Sequence, residues 1–202
     1  MASDSFTGTN GTALTTHDAN WSLCADDDFG RIYGNGVSYG AWSEGCYRYA
    51  GSNGNESIIT LKAGANSGSA AKVGPAVRMG STTSGYHLLL GSISGSNYTY
   101  LHVYKNRNWL SRFSGTWSIN SDHVVRIVAS GTGSTVTINC YVDGIFVGSC
   151  DDSSTPYISG LSGIYLMGDG SNDYAFGDDW SDGAISSKSL IPNNMMQHYL
   201  VR

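Results

Sequence analysis

The stretch Tyr98-Thr-Tyr-Leu-His-Val-Tyr-Lys105 gives the clearest indication of the fold of this chain. Successive side chains of a β-strand point to opposite faces, and here ring side chains alternate with threonine, leucine and valine. The alternation predicts a strand that packs Leu101 and Val103 on a core. The other side of the strand then carries four rings, those of Tyr98, Tyr100, His102 and Tyr104.

A row of rings on an open sheet face has a functional interpretation and a structural one. Aromatic rings match the flat apolar faces of sugars, and phenol and imidazole groups can hydrogen bond to sugar hydroxyls. The row therefore predicts contact with glycans. A row that is covered by a loop or by a neighbouring chain fits the same residues, and the stretch alone does not separate the two.

Composition limits the class of protein. Of the 202 residues, 40% are hydrophobic, which is enough for a core, and only 13% are charged. The net charge is −5 and no cluster of lysine and arginine occurs, so nucleic acid is not an expected partner. The apolar runs are too short to span a bilayer, and the first residues lack the pattern of a secretory signal. Neither a membrane partner nor secretion through a signal peptide is therefore expected.

The four cysteines lack the spacing of metal-binding motifs. Cys140 shares the core side of its predicted strand with Val136 and Ile138. Buried free thiols are the main expectation. A disulfide between Cys24 and Cys46, or between Cys140 and Cys150, stays open, because spacing does not decide it.

Short strand-like segments follow one another along most of the chain, and almost every gap between them contains Gly, Asn or Ser. The predicted strands are residues 3–9, Ala41–Tyr49, Ser57–Lys62, Val73–Met79, Tyr86–Leu90, Tyr98–Lys105, Asn108–Phe113, His123–Ala129, Thr135–Val142, Ile145–Gly148, Gly163–Met167 and Ala175–Trp180. Residues 10–20 and 24–40 are interpreted as loops and turns. This pattern predicts an all-β chain, in which two antiparallel sheets form a β-sandwich or jelly roll. One domain is expected, over residues 1–183.

Two arginines interrupt apolar rows of these strands. Arg126 lies in the strand at 123–129, and Arg78 lies in the strand at 73–79. Both are candidate glycan ligands if their rows face the same groove as His102. The alternative is that each side chain extends to solvent at the edge of a sheet.

Several short motifs occur in a recognisable order. They are Asp4 with Phe6, Gly11 with Leu14 and Trp21, Val73–Met79, Gly85–Leu90, Thr135–Gly144, Asp151–Ser154, Gly160–Ile164 and Phe176–Trp180. Their order resembles the concanavalin A-like lectin/glucanase superfamily, particularly its laminin-G-like members in bacterial and phage proteins. The resemblance implies two curved antiparallel sheets with the first and last strands adjacent. Asp4 and Phe6 would then lie close to Asp178 and Trp180.

The superfamily includes glycoside hydrolases that carry paired acidic residues on one strand. Glu44 and Glu56 are the only glutamates of this chain, and neither has an acidic residue two positions away. Hydrolysis of a glycosidic bond needs two carboxylates at a fixed separation. No catalytic residue is therefore predicted, and the chain is not expected to be an enzyme. A hydrolase with a divergent site is the least favoured alternative.

Two groups of aspartates are candidate metal ligands, and the superfamily has many members that bind Ca²⁺. One group is Asp26, Asp27 and Asp28, and the other is Asp4 with Asp178 and Asp179. Carboxylate oxygens of this kind are the ligands that Ca²⁺ prefers. The alternative is that these residues stabilise turns and face solvent. Ca²⁺ is the only cofactor that the sequence suggests.

The composition changes after Gly183, because residues 184–202 carry many apolar side chains. A free tail would be polar. The segment is therefore predicted to dock on a partner or on its own domain. The docking residues would be Leu190, Ile191, Met195, Met196, Tyr199 and Leu200.

These features lead to one function hypothesis and one alternative. The chain is predicted to be a non-catalytic, lectin-like virion protein, such as a phage capsid decoration or fibre component. It would contact glycans or cell-surface polysaccharide, and its tail would anchor it to capsid or other virion subunits. Assembly with copies of itself is a further alternative for the partner. A free-standing, extracellular carbohydrate-binding module is the alternative function.

Overall fold

Strands make up nearly all of the regular structure, as the many glycines and turn signals predict. The computed structural model describes residues 1–26, 30–39, 44–63, 72–167 and 176–183. Within these ranges the chain forms fifteen strands and one short helix. They are β1 Ser3–Asp4, α1 Leu14–His17, β2 Trp21–Asp26, β3 Gly30–Tyr33, β4 Gly36–Tyr39, β5 Glu44–Tyr49, β6 Glu56–Leu61, β7 Lys72–Met79, β8 Tyr86–Ser94, β9 Asn97–Lys105, β10 Asn108–Ser118, β11 His123–Ser130, β12 Val136–Val142, β13 Ile145–Asp152, β14 Leu161–Met167 and β15 Gly177–Ser181.

The strands form two antiparallel sheets that pack face to face. Sheet A has the order β13-β12-β11-β6-β15-β4-β3, and β1 also pairs with β15. Sheet B has the order β10-β9-β8-β7-β14-β5-β2. The predicted fold class, a two-sheet antiparallel β-sandwich, is confirmed. No helix among the described residues is long and apolar enough to cross a membrane.

The first and last strands are adjacent, as the resemblance to lectins implied. Asp4 is the register partner of Trp180. The Asp4 carboxylate accepts hydrogen bonds from the indole N–H of Trp21 at 2.6 Å and from the backbone N–H of Phe6 at 2.7 Å, and it lies 3.1 Å from Nε2 of His17. Trp21 packs on Trp180 with ring centroids 4.8 Å apart. Because Trp21 begins a strand of sheet B, this contact joins the two sheets.

Between the sheets, side chains alternate in and out of a single large core. On β11, Val125 and Ile127 are fully buried, and on β12 Ile138 and Cys140 are fully buried. Burying a large apolar side chain contributes about 1.5–3 kcal/mol. The core position of Cys140, which the strand pattern predicted, is confirmed.

All four cysteines are free thiols. Of the two pairings that the sequence left open, the first brings its sulfurs into contact. The Sγ atoms of Cys24 and Cys46 lie 2.7 Å apart between β2 and β5. Cys140 is instead opposite Gly148 on the neighbouring strand, so Cys150 is displaced from it along β13.

The sequence-based prediction missed three strands and the helix. Residues 24–40 were interpreted as turns, yet β3 and β4 form a hairpin there, with positive φ angles at Gly34 and Asn35. α1 lies in the segment 10–20, and the last three residues of β2 lie in the segment 24–40. The four-residue elements α1, β3 and β4 contain too few positions to display a period, and tertiary contacts rather than local pattern stabilise them.

Arg78 lies at the end of β7, and its side chain is buried inside the molecule. Its assignment as a glycan ligand is therefore wrong. It adopts a left-handed φ of +54° and is only 2% exposed. Its guanidinium donates hydrogen bonds to Oδ1 of Asn55 and to the backbone carbonyls of Tyr157 and Ala129, at 2.9–3.3 Å. Burial lowers the pKa of this guanidinium. The side chain therefore joins two loops to the end of β11.

Replacing Arg78 with methionine should remove the charged donors from three acceptors, of which the Ala129 carbonyl is buried. We expect the free energy of unfolding to fall by roughly 2–4 kcal/mol, measured by urea denaturation. Arg126→Met is the matched control, because Arg126 is an ion-paired side chain on an outer surface, and its loss should cost about 1 kcal/mol or less. Equal destabilisation by the two substitutions would contradict the structural role of Arg78.

Candidate functional site

The candidate site lies on the face of sheet B that points away from the core, called here the outer face of sheet B. Strand register aligns ring side chains on this face. Tyr104 of β9 is opposite His87 of β8 on one side and Trp109 of β10 on the other. His102 is opposite Arg112 in the same way. Directly opposed side chains of an antiparallel pair lie on the same face, so the rings meet.

Six rings form a continuous surface, the aromatic band. Its members are Tyr165, His87, Tyr104, His102, Tyr100 and Trp109. His87 is stacked between Tyr165, at a centroid distance of 3.8 Å, and Tyr104, at 5.1 Å, with interplanar angles of 8° and 6°. His102 continues the band toward Trp109, at 5.3 Å. Near-parallel rings at these distances are mutually stabilising.

Small residues on β7 allow the band to form. Tyr165 is on β14 and His87 is on β8, two strands apart, so their backbones are separated by roughly twice the usual 4.8 Å spacing. The register partners of these two residues on the intervening strand are Gly74 and Ala76. Because neither has a bulky side chain, the two rings lean across β7 and stack.

Exposure increases along the band toward the edge of the sheet. Tyr165 and His87 are buried, and Tyr100, His102 and Tyr104 are partly buried. At the edge strand, 57% of Trp109 is exposed. The exposed Arg112 lies over the ring of Tyr100 at 4.3 Å and over that of Trp109 at 5.3 Å. The accessible part of the band is thus the β9–β10 hairpin.

Both histidines of the band are held in the neutral form. Burial, with a smaller contribution from Arg107, lowers the pKa of His87 to about 3. Burial and the positive charges of Lys72 and Arg112 lower the pKa of His102. Nδ1 of His87 and both ring nitrogens of His102 are buried and make no hydrogen bond within the described part of the chain. Buried polar atoms are normally paired, so these nitrogens are exceptions within the described part of the chain.

Tyr98, the first residue of the predicted row, is not on this face, and its assignment as a glycan ligand is wrong. It is 1% exposed and belongs to the main core, where its ring lies 6.5 Å from that of His123 on the opposite sheet. Its position coincides with a register shift of β10 between Ser114 and Trp117. Such irregularities change the direction of side chains that strict alternation would place on one face.

Arg126 lies on the opposite side of the molecule, so its assignment to the same groove as His102 is also wrong. Its strand, β11, is in sheet A between β6 and β12. The Nε of Arg126 is 2.5 Å from Glu56, and its guanidinium lies 4.6 Å from the ring centre of Tyr141. Alternation within a strand indicates that residues share a face, but it does not tell which sheet the strand joins.

Of the aspartates proposed as calcium ligands, the described set of Asp4, Asp178 and Asp179 is not gathered into a site. Among the described residues no group of three His, Cys, Asp or Glu side chains is placed to hold a metal ion. The Asp4 oxygens are already bound to donors, and Asp178 accepts a hydrogen bond from the backbone of Asp179. The set of Asp4, Asp178 and Asp179 therefore does not form a metal site. Asp26 is described only in its backbone, and Asp27 and Asp28 lie outside the described residues.

Sequence reasoning identified Tyr100, His102 and Tyr104 but missed the other members of the site. The missed residues are His87, Tyr165, Trp109, Arg112 and Lys72. His87 could have been found, because it alternates with core residues of its strand. Trp109 could not, because a bulge between Trp109 and Ser111 changes the phase of β10.

The structure does not describe the predicted docking residues of the tail. Leu190, Ile191, Met195, Met196, Tyr199 and Leu200 all lie outside the described residues.

Comparison with known proteins places the fold. No family model and no curated protein matches the chain. Among solved structures, the carbohydrate binding module CBM66 from Bacillus subtilis matches with a TM-score of 0.56 and 12% identity, over 79% of this chain and 91% of that one. The potassium-bound carbohydrate recognition domain of Emp46p matches with a TM-score of 0.51 and 12% identity, over 86% and 94%. An endo-1,3-beta-glucanase from Streptomyces sioyaensis matches with a TM-score of 0.51 and 10% identity, over 88% and 84%. The chain thus has the concanavalin A-like lectin/glucanase fold.

The buried His87 should make stability depend on pH. Its pKa is about 3 in the folded chain and should return to its ordinary value of 6.5 on unfolding. Between these values the unfolded chain binds a proton that the folded chain does not, so stability should fall as the pH falls from 6.5 toward 3. His87→Gln removes this titration. The free energy of unfolding is measured from urea curves at pH 7, 6, 5 and 4. Its slope against pH should be smaller for the variant than for the natural chain, by up to about 1.4 kcal/mol per pH unit. Parallel pH profiles for the variant and the natural chain would contradict this.

Proposed function

We propose that this chain is a non-catalytic carbohydrate-binding β-sandwich that holds a glycan on the accessible end of the aromatic band. The observation that carries the proposal is the exposed ring of Trp109 beside His102. Tyr100 and Tyr104 extend the same surface, and the ring nitrogens of His102 have no partner among the described residues. Apolar ring faces are combined there with the exposed guanidinium of Arg112.

The arrangement matches the chemistry of a sugar. The C–H face of a pyranose is apolar and packs on an aromatic ring, whereas its hydroxyls need donors and acceptors. Trp109 and Tyr100 offer ring faces, and the exposed Arg112 beside them offers N–H donors. The band crosses several strands, so it would contact more than one sugar unit.

The structural neighbours support this proposal by what their names state. One is a carbohydrate binding module and another is a carbohydrate recognition domain. Their identity to this chain is 12%, so they support the fold as a scaffold for sugar binding and do not transfer individual residues.

Binding without hydrolysis is favoured by the placement of the carboxylates. Glu44 is on β5 in sheet B and Glu56 is on β6 in sheet A. Among the described side chains of the outer face of sheet B, Glu44 is the one carboxylate, and the Tyr165 hydroxyl donates a hydrogen bond to it. Glycoside hydrolysis needs a second carboxylate across the bond to be broken. The similarity to an endo-1,3-beta-glucanase is therefore attributed to fold alone.

Replacing Trp109 and Tyr100 with alanine should weaken glycan binding. By analogy with stacking on other aromatic surfaces, each ring contributes about 1–3 kcal/mol, so the double variant should bind at least tenfold more weakly in isothermal titration calorimetry. Phe146→Ala is the matched control, since Phe146 is 55% exposed but lies on sheet A. Loss of binding in the Phe146 variant alone would place the site elsewhere. Binding that survives the double substitution would remove this surface as the site.

We further propose the surface of a virion as the setting, with residues 184–202 as the anchor. The support is the composition of the segment, which carries Leu190, Ile191, Met195, Met196, Tyr199 and Leu200 after the last strand of the sandwich. Methionine-rich apolar segments adapt to irregular partner surfaces. A free-standing carbohydrate-binding module is the alternative, and it would need no such anchor.

Deleting residues 185–202 should separate these two settings. The closing pair of strands ends at Ser181, so the truncated chain should keep its melting temperature while losing assembly with its partner, measured by co-sedimentation with particles. A drop of many degrees in melting temperature would show instead that the segment belongs to the core of its own domain.

A further inference from the structure

A lysine lies beside the aromatic band. Lys72 begins β7 on the outer face of sheet B, opposite Met167. A side chain at Gly91 would place its Cβ 3.7 Å from Nζ of Lys72 and 3.6 Å from Nε2 of His102. The ammonium group and the imidazole therefore converge over a backbone position that has no side chain of its own.

Arg112 completes a patch, called here the cationic patch, in which the charged Lys72 and Arg112 lie beside the neutral His102. Arg112 is the register partner of His102 and is exposed. The positive charges of Lys72 and Arg112 both act on the imidazole of His102. The three side chains come from β7, β9 and β10, so the patch is a product of sheet assembly and is not visible as a run of basic residues.

Lys72 lacks the partner that the other described lysines have. Lys62 pairs with Asp122 at 2.6 Å, and Lys105 pairs with Asp152 at 2.7 Å. For Lys72, no ion pair or hydrogen bond to another described residue occurs, although burial lowers the pKa of its ammonium group. A partly buried cation without a counter-ion is costly, and an anion placed beside it offsets that cost.

The remaining charges of the face do not neutralise the patch. Glu44, the one carboxylate among its described side chains, accepts a hydrogen bond from Tyr165 and lies 3.7 Å from Arg107. The chain as a whole has a net charge of −5, so a general attraction for polyanions is not expected. An anionic ligand would have to be recognised at this patch.

We propose that the ligand is an acidic glycan whose carboxylate or sulfate group binds at the cationic patch while its sugar rings rest on Tyr100 and Trp109. This inference rests on the proposed function and narrows it to a class of ligand. Lys72 forms a charge-assisted hydrogen bond to the anion. Arg112 can stack on the two rings and still present N–H donors, because its guanidinium is planar.

The test compares matched polysaccharides on the full chain. Polygalacturonate carries free carboxylates, and its methyl-esterified form has the same sugar without the charge. Dextran sulfate and dextran form the corresponding sulfate pair. We expect at least one charged member to bind about tenfold or more tightly than its neutral counterpart, and this preference should decrease as the salt concentration rises from 50 to 500 mM. The pair that shows this preference identifies the recognised anion as a carboxylate or a sulfate.

Variants then assign the preference to the patch. Lys72→Gln should weaken binding of the preferred charged polysaccharide by about tenfold to a hundredfold, whereas Lys72→Arg should retain most of it. Lys62→Gln removes one positive charge from sheet A and is the control, which should bind like the natural chain. Melting temperatures of all three variants verify that the folded state is present under the assay conditions.

The outcomes separate this inference from the proposed function. Equal binding of charged and neutral polysaccharides, or weakening of the charged one by Lys62→Gln as much as by Lys72→Gln, overturns the acidic-glycan inference and leaves glycan binding in place. Absence of binding to every polysaccharide, together with none on a panel of neutral β-glucans, xylans and mannans, overturns both.

Discussion

The carboxylate of Asp4 is the group on which closure of the sandwich depends. It belongs to β1 in sheet A and accepts the indole N–H of Trp21, the first residue of β2 in sheet B. Trp21 packs in turn on Trp180, the register partner of Asp4 on the last strand. One acceptor therefore links the first and last described strands and the two sheets. Leaving the indole N–H unpaired in this place would cost about 1–3 kcal/mol.

Closure of the sandwich determines which faces of the two sheets a ligand can reach. With β15 held between β6 and β4, sheet A covers the inner face of sheet B, and the outer face of sheet B presents the row of rings found among the described residues. The rings can assemble because three backbone positions beneath them carry small residues, Gly74, Ala76 and Gly91. The small residues are thus as much a part of the candidate site as the rings themselves.

The same packing that assembles the rings also determines their electrostatics. Stacking removes His87 and His102 from water, so both are neutral, and buried ring nitrogens are left without a partner in the described structure. Lys72 is partly desolvated for the same reason. Buried polar groups of this kind are an unfavourable element of the folded chain, and they become favourable when a ligand supplies the missing hydrogen bonds. A stable scaffold and a face prepared for binding therefore arise from one arrangement of strands.

The sequence by itself determined the fold class, most of the strands from β5 onward, and three rings of the site, Tyr100, His102 and Tyr104. These follow from local alternation and turn chemistry, which act over a few residues. Only the tertiary structure decided that Tyr98 enters the core, that Arg126 lies on the other sheet, and that Trp109 joins the rings. The physical reason is that pairing between distant strands sets the sheet to which a residue belongs, and a bulge shifts the phase of alternation by one residue. Neither event leaves a signal in the neighbouring sequence.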